Sequence, residues 1–218
     1  MRIRYLGHSA VEIQGSKTVY IDPFLSGNPA AAVKPEDIRS ADLVLVTHDH
    51  EDHLGDAAPI AKQTGATLVA THEIAVRLEQ EAGIKAEGMN MGGTLSFGKA
   101  KVHMVHALHT AYSTHPVGFV LELDGKTIYH LGDTALFGDM RLYAEFWRFD
   151  LAFVPIGDRY TMGPVSAAKA VEFLRPKKVV PIHYNTFPLI EQDPKRFAEL
   201  VGRTAETAIL APGESLEL

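Results

Sequence analysis

Cysteine is missing from all 218 residues. Its absence excludes disulfides, thiolate metal sites and a cysteine nucleophile. Long apolar runs are missing too. Nothing approaches the roughly 20 consecutive apolar residues that span a bilayer, so no membrane anchor is expected. The opening residues, MRIRYLGHSAVEI, are too polar for a signal peptide, and the expected location is cytoplasmic. Positive charge is scarce: Lys and Arg total 21 against 27 Asp and Glu, a formal net charge of −6. No basic run of five residues occurs. Nucleic-acid binding is driven largely by cationic contacts with phosphates, so DNA and RNA are not expected partners. A homo-oligomer is left open. Hydrophobic residues make up 46% of the chain, enough to build a substantial core.

What is present reads as alternating strands and helices. Arg2–Leu6, Ala10–Ile13 and Lys17–Ile21 show the period-2 pattern of strands. Gly15-Ser16 is placed to turn between the last two. Asp42–Val46 is a continuous apolar run, expected for a strand buried on both faces. A helix is expected over residues 54–63, a strand over Thr67–Ala70 and a helix over His72–Glu81, stopped by Gly83. The second half repeats the plan. A strand covers Lys101–His106, and Pro116–Leu123 pairs with Lys126–Leu131 across Asp124-Gly125, a strong hairpin signal. Asp42-Leu-Val-Leu-Val is echoed by Asp150-Leu-Ala-Phe-Val, and Leu68–His72 by Val179–His183. A helix over Pro164–Leu174 starts at a proline. Matched in order, these echoes imply two similar halves joined near Met91-Gly92-Gly93. Packed sheet on sheet, they would form a four-layer αββα sandwich, a single α/β domain over 1–218 with polar residues on strand ends along one edge.

The chemistry concentrates in Thr47-His48-Asp49-His50-Glu51-Asp52-His53, which holds three of only 11 histidines. His48 and His50 lie two residues apart where a strand runs out, so an extended backbone sends both imidazoles to the same side. Asp52 and His53 follow as the chain turns into a helix, with directions that suit a neighbouring ion. Neutral imidazole and carboxylate are ligands for zinc, manganese or iron. One loop leaves each ion short of ligands. Distant strand ends offer more: His109, Asp133 in Leu131-Gly132-Asp133-Thr134, and His183 after Val179–Ile182. His103 and His106 compete with His109 for the same role.

This set resembles the metallo-β-lactamase fold superfamily over nearly the whole chain. Four stretches, Leu6–Ser9, Ile21–Phe24, Gly132–Phe137 and Pro181–Pro188, are similar to bacterial and archaeal metal-dependent hydrolases related to L-ascorbate-6-phosphate lactonase. The resemblance implies that His48, His50 and His109 hold one ion. Asp52, His53 and His183 would hold a second, and Asp133 would bridge both. Two divalent ions per chain, zinc first with manganese or iron as alternatives, would share a bridging hydroxide that acts as nucleophile. Asp52 and Asp133 are the catalytic carboxylates of this reading. Two cations, two carboxylates and a hydroxide leave a small positive charge, so an anionic small-molecule ester, lactone or phosphoester is the expected substrate. His8, Asp22, Tyr160, Tyr184 and Asn185 are candidates to brace ligands or touch substrate. Two other readings stand beside the hydrolase: a ribonuclease Z-like phosphodiesterase, disfavoured by the acidic charge, and a non-catalytic metal-binding protein.

Overall fold

The computed structural model describes residues 1–218 and contains two seven-stranded sheets. The first is built from β1 (Arg2–Gly7), β2 (Ala10–Gln14), β3 (Thr18–Ile21), β4 (Leu43–Leu45), β5 (Thr67–Thr71) and β6 (Ala86–Met89). The second contains β7 (Thr94–Phe97), β8 (Ala100–His106), β9 (Val117–Leu123), β10 (Lys126–His130), β11 (Leu151–Pro155), β12 (Lys178–Ile182) and β13 (Glu206–Thr207). The expected repeat is visible in the pairing. In each half an antiparallel meander, β1-β2-β3 or β8-β9-β10, passes into parallel strands, β4-β5-β6 or β11-β12-β13. The chain crosses between sheets at residues 90–93, the expected junction. One strand breaks the order: β14 (Ser215–Glu217) returns to the first sheet and pairs with β1, Ile3 opposite Leu216.

Sequence periodicity decides which side each residue faces. Leu43 and Leu45 point between the sheets, while Val44 and Val46 point outward under helices. A strand covered on both faces needs apolar residues throughout, which is why this run is continuous. The layer between the sheets packs Ile3, Val11, Ile13 and Ile21 against Met104, Phe119, Leu121 and Phe153. Outside the first sheet, Ile60 of α2 (Ala57–Thr64) and Ile74 of α3 (His72–Ala82) cover Val44 and Leu68. Outside the second, α4 (Met140–Phe146), α5 (Pro164–Leu174) and α6 (Pro194–Val201) supply Met140, Val171 and Phe197 over Tyr129 and Val154. The result is the αββα order of layers. No helix is long and apolar enough to cross a membrane.

The helix expected over 54–63 is instead two pieces, α1 (Glu51–Leu54) and α2, broken at Gly55. There φ is +41°, and a Cβ would sit 2.6 Å from Phe24 Cα, so the chain can neither stay helical nor carry a side chain. The break separates Asp52 and His53 from the longer helix and leaves them in a single turn beside the strand ends.

Candidate metal centre

Parallel strands all end on the same edge of their sheet, so residues that follow β4, β10 and β12 share a rim. Hydrogen bonds join the two rims. His183 N donates to His8 O at 2.8 Å, and Val117 N donates to Thr47 O at 3.1 Å. Gly132 permits the second approach: its φ is +62°, and a Cβ there would lie 2.6 Å from Val117 O. Asp133 is thereby delivered beside the 47–53 loop from the other half of the molecule.

The structure brings the seven expected ligands together. His48 Nε2 lies 3.0 Å from His50 Nδ1. These two and His109 form one group of converging donor atoms. His183 Nε2 is 3.0 Å from Asp133 Oδ2 and 3.7 Å from Asp52 Oδ2. His53 Nε2 is 3.3 Å from Asp133 Oδ1 and 3.9 Å from Asp52 Oδ2. Asp133 therefore faces both groups, since its Oδ2 is also 3.6 Å from His109 Nε2.

These separations fit metal ions. Ligands about 2.1 Å from one tetrahedral ion stand roughly 3.4 Å from each other, in the middle of the observed spacings. Two of the atoms concerned, His53 Nε2 and Asp133 Oδ1, are buried without a hydrogen-bond partner. An orphaned imidazole nitrogen facing an orphaned carboxylate oxygen is costly unless something sits between them.

The protein's own charges act strongly on these groups. Burial drives the His48 imidazole down to about 3 and lowers His109. Burial also opposes charge on His183 and His53, yet Asp133 overcomes it, lifting His183 to about 9 and His53 well above its ordinary value. Asp133 and Asp52 resist protonation despite burial, because His183 and its neighbours hold the carboxylates ionised.

Surrounding residues hold the candidate ligands in place. Asp22, buried and at φ +47°, accepts from His53 Nδ1 at 2.8 Å and from Thr47 N and Oγ1 at 2.8 and 2.7 Å. Its contact with Nδ1 leaves His53 Nε2 free to face the centre, the usual division of labour for a ligating histidine. His8 sits at φ +60°, with Nε2 3.0 Å from Asp52 Oδ2 and Nδ1 2.9 Å from Thr186 Oγ1. An ionised carboxylate only accepts, so Nε2 carries the proton and Nδ1 accepts from Thr186. His8 thus orients Asp52. Asp49, between the two histidines, turns away and anchors the facing loop through Tyr112 N, Ser113 N and Ser113 Oγ.

Other candidates land elsewhere. Tyr160 lines the cavity over the centre, but Tyr184 and Asn185 do not. Positive φ at His183 and Asn185, +55° and +58°, turns the chain so that Tyr184 and Asn185 face a separate hollow near Tyr5 and Pro212. Asn185 Oδ1 accepts from Gln192 N instead. His103 bonds Thr94 and Glu122, and His106 packs on Phe137, both away from the centre. Thr186, Asp49, Phe24, Tyr112 and Phe187 join the site beyond the residues expected there. Thr186 and Phe187 follow His183 closely, and Asp49 lies inside the heptapeptide, so proximity to ligands was the available signal.

The centre floors an open cavity of about 540 Å³, bounded by Phe24, Glu51, Thr110, Tyr112, Tyr160 and Phe187 with several ligands below. No Lys or Arg lines it.

The chain is similar to known proteins over its whole length. Residues 17–184 match the family model described as "Beta-lactamase superfamily domain". A UPF0173 metal-dependent hydrolase from Thermococcus onnurineus is 55% identical, covering all of both chains. One from Bacillus velezensis is 47% identical over the same full extent. Among solved structures, Igni18, a metallo hydrolase from Ignicoccus hospitalis, superposes with a TM-score of 0.93 at 37% identity, covering 100% of this chain and 98% of that one.

Proposed function

The chain belongs to the β-lactamase superfamily domain family and is a metal-dependent hydrolase, and on that premise we propose that it cleaves an ester, lactone or phosphoester of a small molecule at a dinuclear centre. The observation that carries this is the convergence of five imidazoles and two carboxylates at the floor of an open cavity, with Asp133 within 3.6 Å of His53, His109 and His183.

His48, His50 and His109 would hold one ion, Asp52, His53 and His183 the second, and Asp133 both, with zinc first among the candidate metals and manganese or iron as alternatives. Such a pair of divalent ions supplies, when bound, hydroxide at neutral pH and positive charge for the oxygen of the bond under attack. The protein's own contribution is positional. His8 keeps Asp52 turned and ionised, Asp22 keeps the tautomer of His53, and Asp133 keeps the two ligand groups in register across the halves. With no cationic side chain on the cavity wall, attraction for an anionic group would come from the ions alone.

The same feature disfavours a ribonuclease Z-like reading, because a polyanion needs Lys and Arg along its path. A non-catalytic metal-binding protein would have no use for an open cavity of this size above its ions. The test is a panel of lactones, carboxylic esters, thioesters and phosphodiesters assayed with zinc, manganese and iron in turn. Turnover that disappears on chelation and returns with metal supports the reading. Silence across the panel would favour the binding protein.

A further inference from the structure

Four aromatic rings stand around the cavity mouth, and each comes from a different loop. Phe24 follows β3, Tyr112 follows β8, Tyr160 follows β11 and Phe187 follows β12. Tyr112, Tyr160 and Phe187 are exposed, Tyr112 to 75%. Rings left in water are normal when scattered; gathered over reactive groups they mark a binding surface.

Each loop is tied down. The Phe24 loop is held by Asp56, which accepts from Leu25 N, Ser26 N and Ser26 Oγ at 2.9, 2.7 and 2.6 Å. The Tyr112 loop is held by the buried carboxylate of Asp49, and the Tyr112 ring meets the His50 ring edge-on at 5.0 Å. The Tyr160 loop runs through positive φ at Asp158 and Arg159, and Met162 N bonds Thr134 O at 3.1 Å, one residue beyond Asp133. Phe24 and Phe187 flank the His8 ring edge-on, at 5.8 and 5.7 Å. The rings are thus indexed to the ligands and their braces, and little ordering remains to be done when a ligand arrives.

Charge narrows what they could receive. Beyond the candidate ligands, the only side chain on the wall that is charged at neutral pH is Glu51, and the nearby Arg159 guanidinium lies against the Tyr160 ring at 5.6 Å without lining the cavity. A carboxylate or phosphate held away from the ions would meet Glu51 and no cation. A flat, uncharged group would meet ring faces and edges.

Resting on the hydrolase reading, we propose that this cavity takes the uncharged aromatic portion of its substrate between Phe24, Tyr112, Tyr160 and Phe187, with any negative charge confined to the group under attack. The substrate class is then an aryl or arylalkyl ester, lactone or phosphoester.

Binding tests this without turnover. The full chain, loaded with zinc and freed of excess metal, is titrated calorimetrically with phenylphosphonate and with methylphosphonate. The two share one metal-seeking head and differ in the ring. Phenylphosphonate should bind at least about tenfold more tightly. Phe24→Ala, Tyr160→Ala and Phe187→Ala, checked for unchanged zinc content, should each shrink that ratio while leaving methylphosphonate affinity within about twofold. Equal affinities for the two probes, or a ratio that all three variants preserve, would overturn the proposal and leave the hydrolase reading standing. A chain that takes up no zinc would overturn both.

Discussion

Asp22 makes no contact of its own with the cavity, yet three hydrogen bonds converge on its carboxylate, two from Thr47 and one from His53. Asn at this position cannot repeat them, because whichever way its amide sits, the NH2 group meets a donor. Asp22→Asn should therefore weaken metal binding about 10- to 100-fold with the ligands themselves intact, measured by competition against a chromophoric chelator. Asp133→Ala is the harsher change. It removes the only carboxylate that faces both ligand groups, and should release at least one ion and cut turnover on the order of a thousandfold. Activity that persisted with unchanged metal content would remove Asp133 from the role assigned to it.

At the scale of elements, the site is made by strands that stop and turn sharply. Six of the eight non-glycine residues with positive φ, namely His8, Asp22, Asp158, Arg159, His183 and Asn185, follow strand ends at this rim. Such backbone is held only where its surroundings over-determine it, and it clusters at functional sites. Gly55 belongs to the same design. Gly55→Ala should destabilise the chain by about 2 kcal/mol or more, read from the urea midpoint, because a Cβ meets the Phe24 backbone at 2.6 Å. His130 offers a pH test just behind the rim. Its Nε2 donates to Ser9 O at 2.9 Å and its Nδ1 accepts from Gly132 N at 3.2 Å. Burial lowers its pKa, and a second ring proton would face the Gly132 N–H. The folded state binds this proton less readily than the unfolded state, so stability is present above the unfolded value of about 6.5 and declines as pH falls below it. Nitrogen NMR should show a neutral ring protonated at Nε2 through that range; an imidazolium at pH 6 would contradict this.

Much of this rim was legible in the residues. The heptapeptide at 47–53 announced itself by composition, and Asp133 and His183 by standing where apolar runs stop. Braces were harder to see. His8 and Asp22 could be named as candidates, but which ligand each would serve depends on how the two halves dock, and no local pattern encodes that. Tyr184 and Asn185 were drawn in by adjacency to His183 and excluded by a backbone turn that periodicity does not register. The break at Gly55 was hidden for a related reason: helical spacing continues through residues 54–63, and only the packing of Phe24 interrupts it. The short strands β6, β7, β13 and β14 go unread in the sequence because two to four residues carry no readable period, and β14 finds its neighbour at the opposite end of the chain.

At the scale of the whole molecule, the two halves depend on each other. Neither holds all seven candidate ligands, since His48, His50, Asp52 and His53 come from the first and His109, Asp133 and His183 from the second. The layer between the sheets is what keeps them in register. Phe119, buried there against residues of both sheets, should cost about 3–5 kcal/mol when replaced by Ala. Chemical unfolding would read that loss, and metal affinity should fall with it if docking sets the site. A variant destabilised to that extent but with unaltered affinity would show instead that the ligands are held locally.

The proposed chemistry depends most on paired ions. Elemental analysis of the full chain, purified without chelator and quantified by amino-acid analysis, measures this directly. Close to two divalent ions per chain, falling by at least one in Asp133→Ala, is the expected result. Protein that carries essentially no metal after such a preparation, and takes up none when zinc, manganese or iron is supplied, would contradict it.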